Sequence, residues 1–118
     1  MATITAVLTG PTNEGVVEVS WGTLTTTNRP GSGVLIAKYP DKTVQVLGTF
    51  GASASIAIEG SNDAGNTWFP CHDITNTVIA LTAAGGALIV ENPKLIRPNL
   101  SAGDGSTDVD VYLVAVVA

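Results

Sequence analysis

Cys71-His72-Asp73 places a thiol, an imidazole and a carboxylate in a row, the parts of a thiol-hydrolase site. The spacing argues against that chemistry. Neighbouring side chains of an extended segment point to opposite faces, so Cys71 and His72 cannot share a proton there. His72 is the chain's single histidine and Cys71 its single cysteine. One of each cannot fill a tetrahedral zinc site within a chain. Calcium has two oxygen-rich loops to choose from, at Asp63 and at Gly103-Asp104-Gly105-Ser106-Thr107-Asp108, but neither has EF-hand spacing. No Gly-rich strand-to-helix loop is present for a nucleotide, and no carboxylate pair suited to glycoside hydrolysis stands out. The expectation is a protein without catalytic residues, metal or cofactor, one that works by binding.

The sharpest local motif is Ser61-Asn62-Asp63-Ala64-Gly65-Asn66-Thr67-Trp68. It matches the pattern S-x-D-x-G-x-T-W, the Asp box of sialidase-type propellers. Its chemistry is that of a tight hairpin. Gly65 supplies positive φ where the chain reverses. Asp63 accepts hydrogen bonds from turn amides, and Trp68 packs under the turn, with Ser61 and Thr67 completing the pattern. A propeller needs several four-stranded blades, and this chain carries one copy, so the motif points to a structural hairpin and not to a sialidase.

Strands must position these residues. Val17, Val19 and Trp21 alternate with Glu18 and Ser20; Val44 and Val46 with Thr43 and Gln45; Ile56 and Ile58 with Ser55, Ala57 and Glu59; Val109, Val111 and Leu113 with Asp108, Asp110 and Tyr112. This is the strand period of two, in Val-, Ile- and Thr-rich runs. Turn signals separate them at Gly10-Pro11-Thr12-Asn13, Asn28-Arg29-Pro30-Gly31, Tyr39-Pro40-Asp41, Ala83-Ala84-Gly85-Gly86 and Ala102-Gly103-Asp104-Gly105. The pattern predicts an all-β fold, an antiparallel β-sandwich or jelly roll of about 7–9 short strands. Lys94–Arg97, between Pro93 and Pro98, reads as a short edge strand, because proline cannot donate to a ladder. The Thr-rich first thirty residues suggest a peripheral element, with residues 1–14 as an arm or outlying strand and 15–118 as one sandwich domain.

The last strand departs from alternation. Leu113-Val114-Ala115-Val116-Val117-Ala118 is apolar on both faces and so needs cover on both. Either the N-terminal arm supplies the cover, or Tyr112, Val114 and Val116 meet a neighbouring subunit. Composition bears on this. Hydrophobic residues make up 45% of the 118 and charged residues 13%, about half the usual charged share, and mean hydropathy is +0.36. Little charge is left to dress a monomer's surface. The net charge is −5, and Arg29, Lys38, Lys42, Lys94 and Arg97 are scattered, which argues against direct nucleic-acid binding. No secretory signal is visible at the start, and the longest apolar run is too short to cross a bilayer. A cytoplasmic origin and no membrane partner are expected.

One resemblance covers the chain from about residue 15 onward. It rests on Tyr39 to Gly51, Ile58 to Asp63, Thr67-Trp68, Glu91-Asn92-Pro93, Ile96-Arg97-Pro98 and Gly103-Asp104-Gly105. These resemble a family of small tailed-bacteriophage virion proteins of the capsid decoration or cement type. The first fourteen residues and Cys71-His72 depart from that pattern. The resemblance implies a structural protein that binds over and between major capsid subunits and stabilises the phage head. It further implies a place on the virion surface after assembly in the host cytoplasm, and self-association as a trimer or dimer. Trp21 or Tyr39 would then serve as an aromatic anchor, although the phase of Trp21 with Val17 and Val19 favours the core. The alternative is a carbohydrate-binding or receptor-binding sandwich module of a phage fibre or tail, which needs aromatic rings exposed together on one face.

Overall fold

The alternating runs become strands of two antiparallel sheets in the computed structural model, which describes residues 3–9 and 15–117. In chain order they are β1 (Val7–Thr9), β2 (Val16–Leu24), β3 (Val34–Leu35), β4 (Asp41–Thr49), β5 (Ser55–Ser61), β6 (Phe69–Pro70), β7 (Ala80–Leu81), β8 (Gly85–Ile89), β9 (Leu95–Ser101) and β10 (Asp108–Val116). Ten strands exceed the expected seven to nine because β3, β6 and β7 are two residues each, too short to carry a periodic signal. The expected turn at Gly10–Asn13 and the final Ala118 lie outside the described residues.

The first sheet runs β1-β2-β10-β4-β8 and the second β3-β9-β5-β6, with β7 also paired to β5. Packed face to face they form an all-β sandwich. Its core takes Val17, Val19, Trp21, Leu24, Val44, Val46, Val109, Val111, Leu113 and Ala115 from the first sheet. Val34, Ile56, Ile58, Ile96 and Leu100 meet them from the second. Alternation is strict in β10, where every second residue is buried.

Three expectations are corrected. The first thirty residues are not all peripheral: β2 is a core strand beside the central β10. The described part of the arm does not lie over the sheet either. Residues 3–6 are strapped to the second sheet's side, with Ile4 N–H donating to the Pro30 carbonyl at 2.9 Å and Ala6 N–H to Ser32 Oγ at 2.8 Å. β1 then extends the first sheet in plane, against β2. Finally, β9 is an interior strand, although it contains Pro98. The Pro98 carbonyl accepts from Gly31 N–H at 2.9 Å, so its backbone faces the β3 side. N and C=O of one strand residue point the same way, hence the missing donor lies where β3 is absent and the ladder to β5 is intact. Gly31 owes its identity to this approach, since a Cβ there would sit 2.5 Å from the Trp21 ring and 2.7 Å from Pro98.

Candidate functional site

The triad-like run comes apart in three dimensions. Cys71 is fully buried, and burial, with Glu91 nearby adding to it, pushes the thiol up to about 12. A neutral, enclosed thiol is a packing group, not a nucleophile. His72 turns to Glu91 instead, its Nδ1 2.5 Å from Oε2 while its backbone N–H donates to Oε1 at 2.7 Å. Burial works upward on Glu91, but the two hydrogen bonds from His72 outweigh it and hold the carboxyl below its usual range. Asp73 accepts from Thr75 Oγ1 at 2.7 Å and from the amides of Thr75 and Thr77, which closes the turn ahead of β7. The three side chains therefore do three unrelated jobs.

At the hairpin between β5 and β6, Asp63 accepts from Ser61 Oγ at 2.8 Å, Thr67 N–H at 2.9 Å and Thr67 Oγ1 at 2.5 Å. The Thr67 hydroxyl above all, then its amide and Ser61, bring the exposed Asp63 carboxyl down to about 2. Gly65, at φ +86°, makes the reversal. Trp68 Nε1 donates to the Gly65 carbonyl at 3.1 Å, and the Arg97 guanidinium lies 4.1 Å over the Trp68 ring. Asp104 is occupied in the same manner, by Ser106 Oγ and N–H and by Ala52 N–H. Asp63 and Asp104 thus spend their carboxylates on nearby hydroxyls and backbone amides, while Asp108, at the end of the second loop, faces outward from β10. Among the described residues no group of three or more His, Cys, Asp or Glu is placed to hold a metal.

A buried cation escaped the sequence reading. Lys42 is in phase with Val44 and Val46, points inward, and is 1% exposed. Its Nζ donates to Asn92 Oδ1 at 2.6 Å and to the carbonyls of Tyr39 and Pro40 at 3.2 and 3.3 Å. Burial lowers its affinity for a proton, and three acceptors compensate the desolvated ammonium. The phase with the valines was the available signal. The group ties the segment before β4 to the segment after β8.

What remains open is the outer face of the first sheet. The register places Tyr112 between Ser20 of β2 and Gln45 of β4, Val114 between Glu18 and Thr43, and Val116 between Val16 and Asp41. Leu47 lies opposite Asp110, and Leu88 of β8 opposite Thr43. Tyr112, Val114, Val116 and Leu47 are 37–41% exposed on the inner strands β10 and β4, high values for apolar side chains there, and Leu88 on the edge strand β8 is 37% exposed. A strand of nine residues at about 3.3 Å each and five strands about 4.8 Å apart give a face of roughly 600 Å².

The structure brings together only three of the five interface candidates. Trp21 is in the core, 1% exposed, with Nε1 donating to the Ser32 carbonyl at 2.9 Å; it cannot anchor a partner. Tyr39 packs against the core from the segment after β3, where Leu35, Ala37, Lys38 and Tyr39 border a separate depression of about 280 Å³.

Among the described residues no helix is long and apolar enough to cross a membrane. No family model matches the chain, and no curated protein matches it. One solved structure, titled "Crystal Structure of FeII HppE", aligns with 86% of this chain and 42% of its own at 12% identity. The TM-score is 0.39, a likeness too loose to carry an argument, and this chain spans well under half of that protein.

Proposed function

We propose that the chain is a structural virion protein of the capsid decoration or cement type. It acts by binding over and between major capsid subunits, without catalysis, and stabilises the shell. One observation carries the binding part of this reading: five apolar side chains stand exposed in register on the outer face of the first sheet. Patches of this kind mark interaction surfaces. A face of about 600 Å² suits one side of a small specific interface, which buries roughly 1,200–2,000 Å² in total. Single-site affinity of that order becomes a strong collective hold when copies engage a repeating lattice together. The capsid itself as partner rests on the sequence resemblance.

Little supports the glycan-binding alternative. Trp21 is enclosed and Trp68 lies beneath Arg97, so neither indole offers a free platform for a sugar ring.

The direct test is to mix the purified chain with expanded phage heads that lack it, sediment the heads and count bound copies. Saturable binding, together with raised resistance of the heads to heat or low salt, is the expected result. Heads that sediment free of the chain would overturn the proposal.

A further inference from the structure

The same face has a one-sided charge. Glu18, Asp41, Asp108 and Asp110 lie in phase with Tyr112, Val114 and Val116 and project outward with them. None of the chain's five bases joins them. Lys42 points inward, Arg97 sits on the second sheet against Glu59, and Arg29, Lys38 and Lys94 lie in connecting segments. Neither of the ion pairs found among the described residues involves a carboxylate of this face.

One of these acids sits in a shaped recess. Between Leu24↔Val109 and Trp21↔Val111 the β2 strand carries an extra residue, so Gly22 and Thr23 together oppose Asp110. The bulge opens a cleft of about 200 Å³ lined by Ser20, Trp21, Gly22, Thr23, Asp110 and Tyr112. Asp110 Oδ1 accepts from Thr23 Oγ1 at 3.2 Å, which fixes the carboxylate, while Oδ2 accepts no hydrogen bond among the described residues. Gly22 keeps the cleft open, since a Cβ there would stand 3.0 Å from Oδ1.

We infer that this face docks a basic protein surface, and that the Asp110 cleft receives one arginine side chain of it. A fixed carboxylate beside an exposed aromatic ring suits a guanidinium, which hydrogen-bonds in plane and stacks on its flat side. A second copy of the chain is the wrong occupant. Face-to-face pairing would oppose acids to acids and leave the cleft without a cation. Nucleic acid is repelled for the same reason. The inference deepens the capsid reading by stating the chemistry required of the partner, and it rests on the docking role proposed there.

The test is an amide NMR titration of the full chain with the blocked tripeptide Gly-Arg-Gly, with Gly-Lys-Gly and Gly-Glu-Gly as comparators. Saturable shifts confined to residues 20–23 and 110–112 are expected with arginine, weaker ones with lysine and none with glutamate. Binding should fall at least tenfold in Asp110→Asn and persist in Asp73→Asn, whose carboxylate lies off this face. Should Asp110→Asn fail to fold, the wild-type chain decides: its arginine shifts must fade as salt is raised. Shifts absent, equal for glutamate, insensitive to salt or unchanged in Asp110→Asn overturn the inference. So do shifts at Tyr112 and Val114 that grow with protein concentration alone, because a second copy then covers the face. Heads that bind the chain regardless of salt, with no arginine shifts, sink this inference and leave the capsid reading standing. Arginine shifts without head binding do the reverse.

Discussion

The two outer faces of the sandwich are made of strands with the same period, yet their chemistry is opposite. On the second sheet the outward polar and aromatic groups around β5 and β9 satisfy one another, while Leu35 on the edge strand β3 stays 63% exposed. Arg97 Nε donates to Glu59 at 2.9 Å across the β5–β9 pair, Asn99 Nδ2 reaches the same carboxylate, and the guanidinium covers Trp68. On the first sheet, Tyr112, Val114, Val116, Leu47 and Leu88 stand among hydroxyls, an amide and acids that form no ion pair among the described residues. A face that closes its own polar and aromatic groups has little to gain from a partner. One that exposes apolar area beside uncompensated charge gains from a partner of complementary charge. The difference separates a face that contributes to folding from one held for binding, and substitutions on each should sort accordingly.

The largest expected effect is on the self-satisfied face. Trp68→Ala removes a ring that packs against Gly33, donates to the Gly65 carbonyl and lies under Arg97. We expect a loss of about 3 kcal/mol, the low end for truncating an aromatic side chain, and a fall in Tm of about 10 °C. Thermal unfolding followed by circular dichroism measures it, and head binding of the folded variant at low temperature should match wild type. Equal loss of binding would mean that the second face docks too.

Next comes Tyr112→Ala, with the opposite signature. A central aromatic anchor costs about 2 kcal/mol or more of affinity when truncated, roughly 30-fold. Tm should change little, because the ring is 41% exposed and leaves no cavity. Sedimentation binding isotherms read the first quantity and thermal melts the second. Lost stability with intact affinity would break the contrast between the faces. Arg97→Ala should then cost about 1 kcal/mol, the size of one charge-assisted hydrogen bond with a cation–π contact at a partly exposed site. Asn99 remains to pair Glu59, and affinity for heads should not move.

This contrast was only half legible in the sequence. Period-two alternation in Val17–Trp21, Val44–Val46, Ile56–Ile58 and Val109–Leu113 identified the long strands, since burial on one side is a local pattern. The Ser61–Trp68 hairpin was equally readable, because its hydrogen bonds span at most four residues. Alternation does not say whether the outward residues meet water, each other or a partner; that depends on pairing between distant strands. Glu59 and Arg97 are 38 residues apart, and His72 and Glu91 are 19 apart. Glu18 and Asp41 join Asp108 and Asp110 on the first face only through the β2–β10–β4 register. Pro98 misled for a similar reason: whether a missing N–H matters depends on which side of the strand has a neighbour.

The smallest expected effect is an acid-labile edge confined to the second face. Asp63 is held down at about 2 by Thr67 and Ser61, against an ordinary 3.8. A carboxyl whose pKa is lower folded than unfolded contributes stability that is complete above the unfolded value and lost as pH falls through the folded one. The contribution is therefore intact at neutral pH and fades between about 4 and 2. Asp63 is fully exposed, so solvent screening keeps the effect modest. Tm should be flat from neutral pH to about 5 and decline below about 4, with amide exchange rising first at residues 61–67. Asp63→Asn keeps an acceptor but cannot titrate, so its melting curve should lie slightly below wild type at neutral pH and converge with it in acid. Two curves that stay parallel down to about pH 2 would show that Asp63 does not set the acid edge. The loss would then belong to Asp73 and Asp104, whose carboxyls are also held low by their own turns.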